Sequence, residues 1–468
     1  MTKLHLPIAA LLLVSLTACQ LPKVEFKRPD PLPQDAVIRV YMNHNQAKGA
    51  DYTDPYRNIA RRGDNLERVI IEAIEQAESR IDVAVQEFRL PRIAEALAAK
   101  QEAGVQVRVI VENDYNRSWG GLSVSEVGEL DRRDRTRYQE FVQLADQDNN
   151  GQLSPQEAED NDALLILKNA GIPVLDDTAD GSKGSGLMHH KFMVVDNFTI
   201  ITGSANWTLS GIHGDLDTPE SRGNANNLLH LQNVALAEIF TAEFNQMWGD
   251  GVGKQPDSRF GVQKKYRSPQ RVMVGETPVT VQFSPTSETQ PWPQSSNGLI
   301  AARLQQAQSA VNLALFVFSD QRIVNTLQSR HQQGVTVQAL IDRSFAFRNY
   351  SEGLDMLGVA LPQNCQYEKN NQPWTNSITT VGIPQLAEGD KLHHKFGVMD
   401  GQTVITGSHN WSAAANKTND ETVLILENPV VAAHYEREFQ RLYQTASLGV
   451  PEYIEERIRE KMEQCPGL

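Results

Sequence analysis

The chain has 468 residues, is 40% hydrophobic, and carries 44 basic against 58 acidic residues for a net charge of −14. That length and hydrophobic content suit two sizeable cores rather than a single domain. The acidic balance excludes a surface that holds polyanions by bulk charge, nucleic acid and anionic membrane alike, so any anionic ligand needs a local basic site.

The first segment, residues 1–18, reads as a targeting signal. Lys3 supplies a positive start, and Pro7 to Thr17 an apolar run. A spanning helix takes about 20 apolar residues, so this run is too short to cross a membrane. Leu16-Thr17-Ala18-Cys19 resembles the processing site of a bacterial lipoprotein. That resemblance implies a lipidated Cys19 on a secreted protein, and Gln20 after it implies the outer membrane or its periplasmic face. An ordinary secretory signal beside a chance cysteine is the alternative. Residues 19–36 read as a tether, since Leu21 to Gln34 holds four prolines and no periodic pattern.

Val37 to Tyr41 follows as a short strand. Asn65 can cap a helix whose apolar residues Leu66, Val69, Ile70, Ala73, Ile74 and Ala77 keep helical spacing. Ile81, Val83 and Val85 alternate as a strand, Pro91 to Ala103 forms a helix, and Gly104 turns into the strand Val105 to Val111. The same pattern returns 230 residues on. Ala77, Ile81, Val83, Val85, Phe88, Ile93, Leu97, Gly104, Val105 and Val107 correspond to Ala307, Val311, Leu313, Leu315, Phe318, Ile323, Leu327, Gly334, Val335 and Val337. Alternating strands and helices in duplicate imply an α/β protein of two α/β/α sandwich halves, each with a largely parallel sheet. The first half spans 37–250 and the second 279–446. A linker rich in Gly, Lys, Arg and Pro fills 251–278, and 447–468 is a charged peripheral helix or tail.

From Gly104 to His189 is 85 residues, but from Gly334 to His393 only 59, so the first half carries an insertion, near 135–168. Inside it, Asp146 to Glu157 matches an EF-hand calcium loop. Asp146, Asp148 and Asn150 fill the first, third and fifth positions and Gly151 the turn. Gln152 offers its carbonyl, Ser154 the ninth position, and Glu157 a bidentate carboxylate at the twelfth. A solvated polar loop also accounts for the Asp and Asn residues, but not for that glycine together with that glutamate. The expected ion is calcium, in a structural or regulatory role.

Next come two copies of one motif. His189-His190-Lys191-Phe192-Met193-Val194-Val195-Asp196 precedes Gly203-Ser204-Ala205-Asn206-Trp207-Thr208, and His393-His394-Lys395-Phe396-Gly397-Val398-Met399-Asp400 precedes Gly407-Ser408-His409-Asn410-Trp411-Ser412. Both read H-x-K-x4-D and then G-S-x-N-W, seventeen residues from histidine to asparagine. Read blandly, the copies are strand ends with core valines, which leaves the repeated His, Lys and Asn without a reason. The wording resembles the phospholipase D superfamily, and within it the branch of small bacterial endonucleases and cardiolipin hydrolases. Members carry the two motifs on related halves that share one active site.

Phosphodiester cleavage needs a nucleophile for phosphorus, an acid for the departing alkoxide, and positive charge around the phosphoryl oxygens. Histidines titrate near neutrality and suit the first two tasks. By resemblance, His189 and His393 are nucleophile and acid in an order left open. Lys191, Lys395, Asn206 and Asn410 hold the phosphate, and Asp196 and Asp400 orient within their motifs. Charge stabilisation then rests on lysines, with no metal required at phosphorus. His190 and His394, at the variable position, read as packing or supporting residues. In the superfamily an acidic residue after G-S-x-N orients the motif histidine. Glu421, 28 residues beyond His393, fits that role. The first half has Asn226 at the matching place, so Asn226, or Asp217 from the longer loop Gly211 to Gly223, is left to orient His189.

The resemblance implies a phosphodiesterase that hydrolyses phospholipid through a phosphohistidine intermediate, giving phosphatidic acid. A metal-independent endonuclease is the alternative, with a phosphatidyltransferase or a non-catalytic calcium-binding surface protein behind it. Both halves lie in one chain, which implies a monomer. Cys365 and Cys465 are free to pair or to remain thiols.

Overall fold

The computed structural model describes residues 27–182, 186–465 and 467. The expected signal segment and Cys19 lie outside the described residues. Among those described, no helix is long and apolar enough to cross a membrane.

The first half is built on β1 (Ile38–Met42), β2 (Arg80–Val85), β3 (Gln106–Val111), β4 (Val174–Asp176), β5 (Lys191–Val195), β6 (Thr199–Gly203) and β7 (Asn227–Gln232). They form one sheet in the order β1-β7-β6-β5-β2-β3-β4. The second half uses β8 (Gln270–Val274), β9 (Thr277–Ser284), β10 (Ala310–Leu315), β11 (Thr336–Ile341), β12 (Val381–Ile383), β13 (Lys395–Met399), β14 (Thr403–Gly407), β15 (Glu421–Glu427) and β16 (Ser447–Leu448). Their order is β8-β9-β15-β14-β13-β10-β11-β12-β16. The duplication is visible directly, because β7-β6-β5-β2-β3-β4 and β15-β14-β13-β10-β11-β12 are the same arrangement.

These sheets are mixed, where the strand and helix alternation suggests largely parallel ones. Only β2-β3-β4 and β10-β11-β12 run parallel. The motif strands β5 and β13 pair antiparallel on both sides. The turn inside each motif sets the pairing with the next strand, β6 or β14. Asp196 and Asn197 both sit at φ 51°, and Asp400 and Gly401 at 54° and 64°. Two successive left-handed residues make the tight hairpin turn that Asp, Asn and Gly tolerate, so the chain returns at once instead of crossing over.

The helices are α1 (Leu66–Glu75), α2 (Pro91–Glu102), α3 (Arg132–Ala145), α4 (Pro155–Asn161), α5 (Val234–Trp248), α6 (Ser296–Leu304), α7 (Gln321–Gln332), α8 (Pro429–Tyr443) and α9 (Glu452–Gln464), with the helix Ala163–Asn169 and shorter helical turns between them. Asn65 caps α1 by accepting the Arg68 N–H at 3.0 Å, and Pro91 opens α2, where its missing N–H costs nothing. Both faces of each motif strand are covered, so β5 and β13 are buried at every residue. Met193 and Val195 face α1 and α2, while Phe192 and Val194 face α5.

A single central core joins the halves. It holds α5 and α8 between the inner faces of the two sheets, which gives five layers in all. Phe192 meets Phe240 at 5.1 Å and Phe240 meets Phe283 of the second half at 5.2 Å, both edge to face. Such pairs add about 0.5–1.5 kcal/mol each beyond area burial. The segment 251–278 is no loose linker, since it contains β8 and a buried Lys264 whose ammonium bonds Glu243 and lies 2.7 Å from Asp420. From residue 27 the tether already lies on the body, with Arg28 on Asp51 and Arg437 donating to the Asp30 carbonyl at 2.7 Å. The tail adds β16 to the sheet edge, and a Cys365–Cys465 disulfide ties down the end of α9.

Candidate active site

The two motifs meet where the sheets face each other. Each motif histidine stands just before its strand, and its backbone pairs with the other half. The His189 N–H donates to the Asp420 carbonyl at 3.0 Å and the Asp420 N–H to Leu187 at 2.8 Å. Likewise the His393 N–H donates to Ala225 at 3.1 Å and the Ala225 N–H to Lys391 at 2.7 Å. These bridges set the residue after each partner beside the opposite histidine.

The side chains therefore cross. His189 Nδ1 lies 2.7 Å from Glu421 Oε2, and His393 Nδ1 lies 2.9 Å from Asn226 Oδ1. This corrects the expectation that Glu421 serves His393 and that Asn226 or Asp217 serves His189. Asp217 accepts instead from Gln143 of α3 at 2.7 Å. The serine of each G-S-x-N braces the pairing residue, Ser408 donating to Glu421 at 2.8 Å and Ser204 to Asn226 at 2.7 Å. The Asn226 amide cannot turn over, because its NH2 donates to the carbonyls of Gly211 at 2.9 Å and Asn224 at 3.1 Å. Its oxygen must face the ring, so Nδ1 of His393 is the donor and Nε2 is left for chemistry.

The neighbouring histidines support this crossing. His190 reaches Thr422 at 2.9 Å and Glu243 at 3.1 Å, and His394 reaches Asn227 at 3.1 Å and Glu438 at 3.0 Å. Each thus links the other half's strand to a central helix. Glu243 is further neutralised by Lys264 and Arg267, and Glu438 by Arg441.

The Lys191 ammonium donates to the His189 carbonyl at 2.9 Å and to Gln86 at 3.2 Å, and Lys395 donates to the His393 carbonyl at 2.8 Å. Both lysines are buried, and burial pulls Lys191 down to about 7 and Lys395 well below the usual lysine range. Burial and the lysine charges hold both imidazoles well below the ordinary histidine value. Burial also raises Glu421. An anion placed among these groups would oppose that lowering and favour the protonated lysines and imidazoles. The Oδ1 atoms of Asn206 and Asn410 are buried without a protein partner.

Asp196 and Asp400 are not in this site. Asp196 accepts from the backbone of Glu78, Ser79 and Arg80 at 2.7–2.9 Å, and Asp400 from Gln308, Ser309 and Ala310 at 2.8–2.9 Å. They fasten the hairpin turn to the start of the neighbouring strand, at the end of the sheet remote from the histidines. Ser204, Ser408, Gln86 and Phe316 are site neighbours that the motif reading passes over. The repeated G-S marks the serines, and the 230-residue repeat equates Gln86 with Phe316.

The insertion loop lies between α3 and α4. Asp146, Asp148 and Glu157 each offer a carboxylate oxygen within 4.8 Å of the others. Asp146 accepts the N–H groups of Asn150 and Gly151 at 3.1 and 3.0 Å, and Gly151 sits at φ 77°. Glu157 folds back onto the Gln147 N–H at 2.9 Å. A donor set of oxygens only, on a loop closed by glutamate, fits a hard divalent cation such as calcium.

A family model described as "Cardiolipin synthase, PLD-like domain" matches residues 70–248 and 300–443. The mitochondrial cardiolipin hydrolase of Xenopus tropicalis is 31% identical over 143 residues, which is 30% of this chain and 58% of that protein. A phospholipase D of Rickettsia typhi is 29% identical over 143 residues, 31% of this chain and 60% of that protein. The chain thus spans less than two thirds of the length of either. Among solved structures, the phosphatidylserine synthase of Haemophilus influenzae Rd KW20 superposes with a TM-score of 0.52 over 94% of this chain and 95% of that one, at 12% identity, a likeness of fold.

Proposed function

The chain belongs to the cardiolipin synthase, PLD-like domain family, and from that premise we propose a phosphodiesterase that cleaves phospholipids through a phosphohistidine. The observation that carries the assignment of roles is the unequal pairing of the two histidines. Nε2 of His189 attacks phosphorus while its Nδ1–H donates to Glu421, whose carboxylate stabilises the positive charge the ring acquires as the P–N bond forms. Nε2 of His393 gives its proton to the departing oxygen as the P–O bond breaks. His393 has only the neutral Asn226 amide behind it, so its proton is held less tightly. Water then attacks phosphorus, His393 takes its proton, and His189 is released. Lys191, Lys395, Asn206 and Asn410 bind the phosphoryl oxygens throughout.

The lipid reading draws support from the names of the relatives, a cardiolipin hydrolase and a phospholipase D. It fits a lipoprotein anchored through Cys19 to the outer membrane or its periplasmic face, acting as a monomer because one chain holds both motifs. The test sets fluorescent phosphatidylcholine and cardiolipin against single-stranded DNA. Lipid turnover at least tenfold above DNA turnover is expected, and the reverse order would make the protein a nuclease.

Calcium belongs to the insertion in this reading, held by Asp146, Asp148, Asn150, the Gln152 carbonyl and Glu157. There it would brace the loop between α3 and α4. Glu157→Gln should weaken calcium binding in calorimetry and lower the melting temperature in calcium, since a ligand of the folded state stabilises it by mass action. Chelator should leave single-turnover cleavage of a soluble diester in place. Complete loss of that cleavage with the fold intact would make the ion catalytic.

A further inference from the structure

The two halves supply matching histidines, lysines and asparagines, yet one equivalent pair of neighbours differs in kind. Gln86 and Phe316 stand at the same place in the repeat, each just past its strand, with N–H groups donating to the carbonyls of His190 and His394 at 3.0 and 2.8 Å. Gln86 Oε1 accepts from Lys191 at 3.2 Å and lies 3.5 Å from the Asn206 amide nitrogen. Phe316 offers no such acceptor. Its ring lies 4.8 Å from that of His393, tilted by 58°, and 4.8 Å from Phe345 in an edge contact. The Lys395 ammonium sits 5.0 Å from the same ring.

This difference bears on how each imidazole is held. His189 has a charge-assisted bond to a buried carboxylate, itself braced by Ser408. His393 has one bond to a neutral amide at Nδ1, which fixes that atom and leaves the ring free to tilt about it. The Phe316 ring removes that freedom, and Phe345 keeps Phe316 from moving away. An apolar face beside the ring also excludes water from it, which leaves the imidazolium less solvated and readier to give its proton up. The ordinary alternative is that Phe316 fills space in the second half, which leaves its contact with the His393 ring incidental.

Resting on the assignment of His393 as acid, we propose that Phe316, backed by Phe345, is a positioning residue that aims the His393 Nε2 proton at the departing oxygen. Lys395, spared a glutamine partner, keeps its remaining N–H groups for the phosphate.

The experiment uses two diesters with the same phosphoryl portion, one losing p-nitrophenol and one losing an aliphatic alcohol. Only the aliphatic alkoxide needs a proton to leave. Phe316→Gln, which installs the other half's residue, should lower kcat for the alkyl diester by about 10- to 100-fold, part of the range general acids contribute. Its single-turnover rate constant for the nitrophenyl diester, and Kd for both diesters, should stay near wild type. Phe316→Leu keeps apolar bulk without a flat ring and should show the same selective loss in milder form, with melting curves confirming both folds. Equal loss on both diesters, or no loss on either, overturns the positioning role. His393→Ala is the separate control, because a variant without leaving-group dependence there would defeat the assignment of the acid itself.

Discussion

At the residue scale, the proposed reaction divides its chemistry by what stands behind each imidazole. A carboxylate behind His189 and an amide behind His393 make unequal groups from equal side chains. Glu421→Gln keeps the shape and removes the charge. His189 then has lower proton affinity, so the acidic limb of the kcat/KM profile should move to lower pH, because attack needs the neutral ring. The plateau should fall about 100-fold or more as the cationic phosphohistidine loses its counter-charge. An unchanged profile, read by single-turnover cleavage across pH 4–9, would show that Glu421 does not tune the nucleophile. The motif residues were legible in the sequence because phosphoryl chemistry constrains their types and both copies keep one spacing. Their partners were not. Spacing within a half points Glu421 at His393, and only the backbone bridges between Met188 and Asp420 and between Ala225 and Leu392 redirect it.

At the scale of elements, strands, helices and caps were readable from periodicity, as α1 after Asn65 and α2 from Pro91 show. The direction of the motif strands was hidden, since a two-residue turn leaves only Asp-Asn or Asp-Gly as its mark. The matching place of Asp196 and Asp400 in the two copies reads as an orienting role in the site until their carboxylates are seen on backbone N–H groups. A second buried network was invisible for a similar reason. His213, closing the short helix Leu209–Ile212 after the first motif, lies 3.2 Å from Asp54 and 3.0 Å from Glu67, residues far earlier in the chain. Burial lowers its pKa, but hydrogen bonds to both carboxylates outweigh that and raise it to about 9. A raised pKa contributes stability that is complete below the unfolded value of about 6.5 and is lost as pH rises through about 9. His213→Gln should therefore cost up to about 3 kcal/mol at pH 6, with the gap to wild type closing by pH 10. A gap that stays constant across that range in thermal melts would show that the imidazole is uncharged in the fold.

At the scale of the whole molecule, duplication announces itself in the sequence, and with it the expectation of one shared site. What duplication alone leaves open is how the halves dock. The answer lies in α5 and α8, whose apolar faces close one central core between the two sheets. Residues as far apart as Phe192 and Phe283 are joined there through Phe240, a packing that no local pattern marks. Docking brings His189 beside Glu421 and His393 beside Asn226, so neither half holds a complete site. The most direct measurement of that claim is rapid-quench mass spectrometry of the phosphoenzyme formed from a nitrophenyl diester. The shared, unequal site predicts phosphate on His189 in the wild type, accumulation there in His393→Ala, which lacks the base for water, and none in His189→Ala. Phosphate on His393, or normal turnover by His189→Ala, would contradict it.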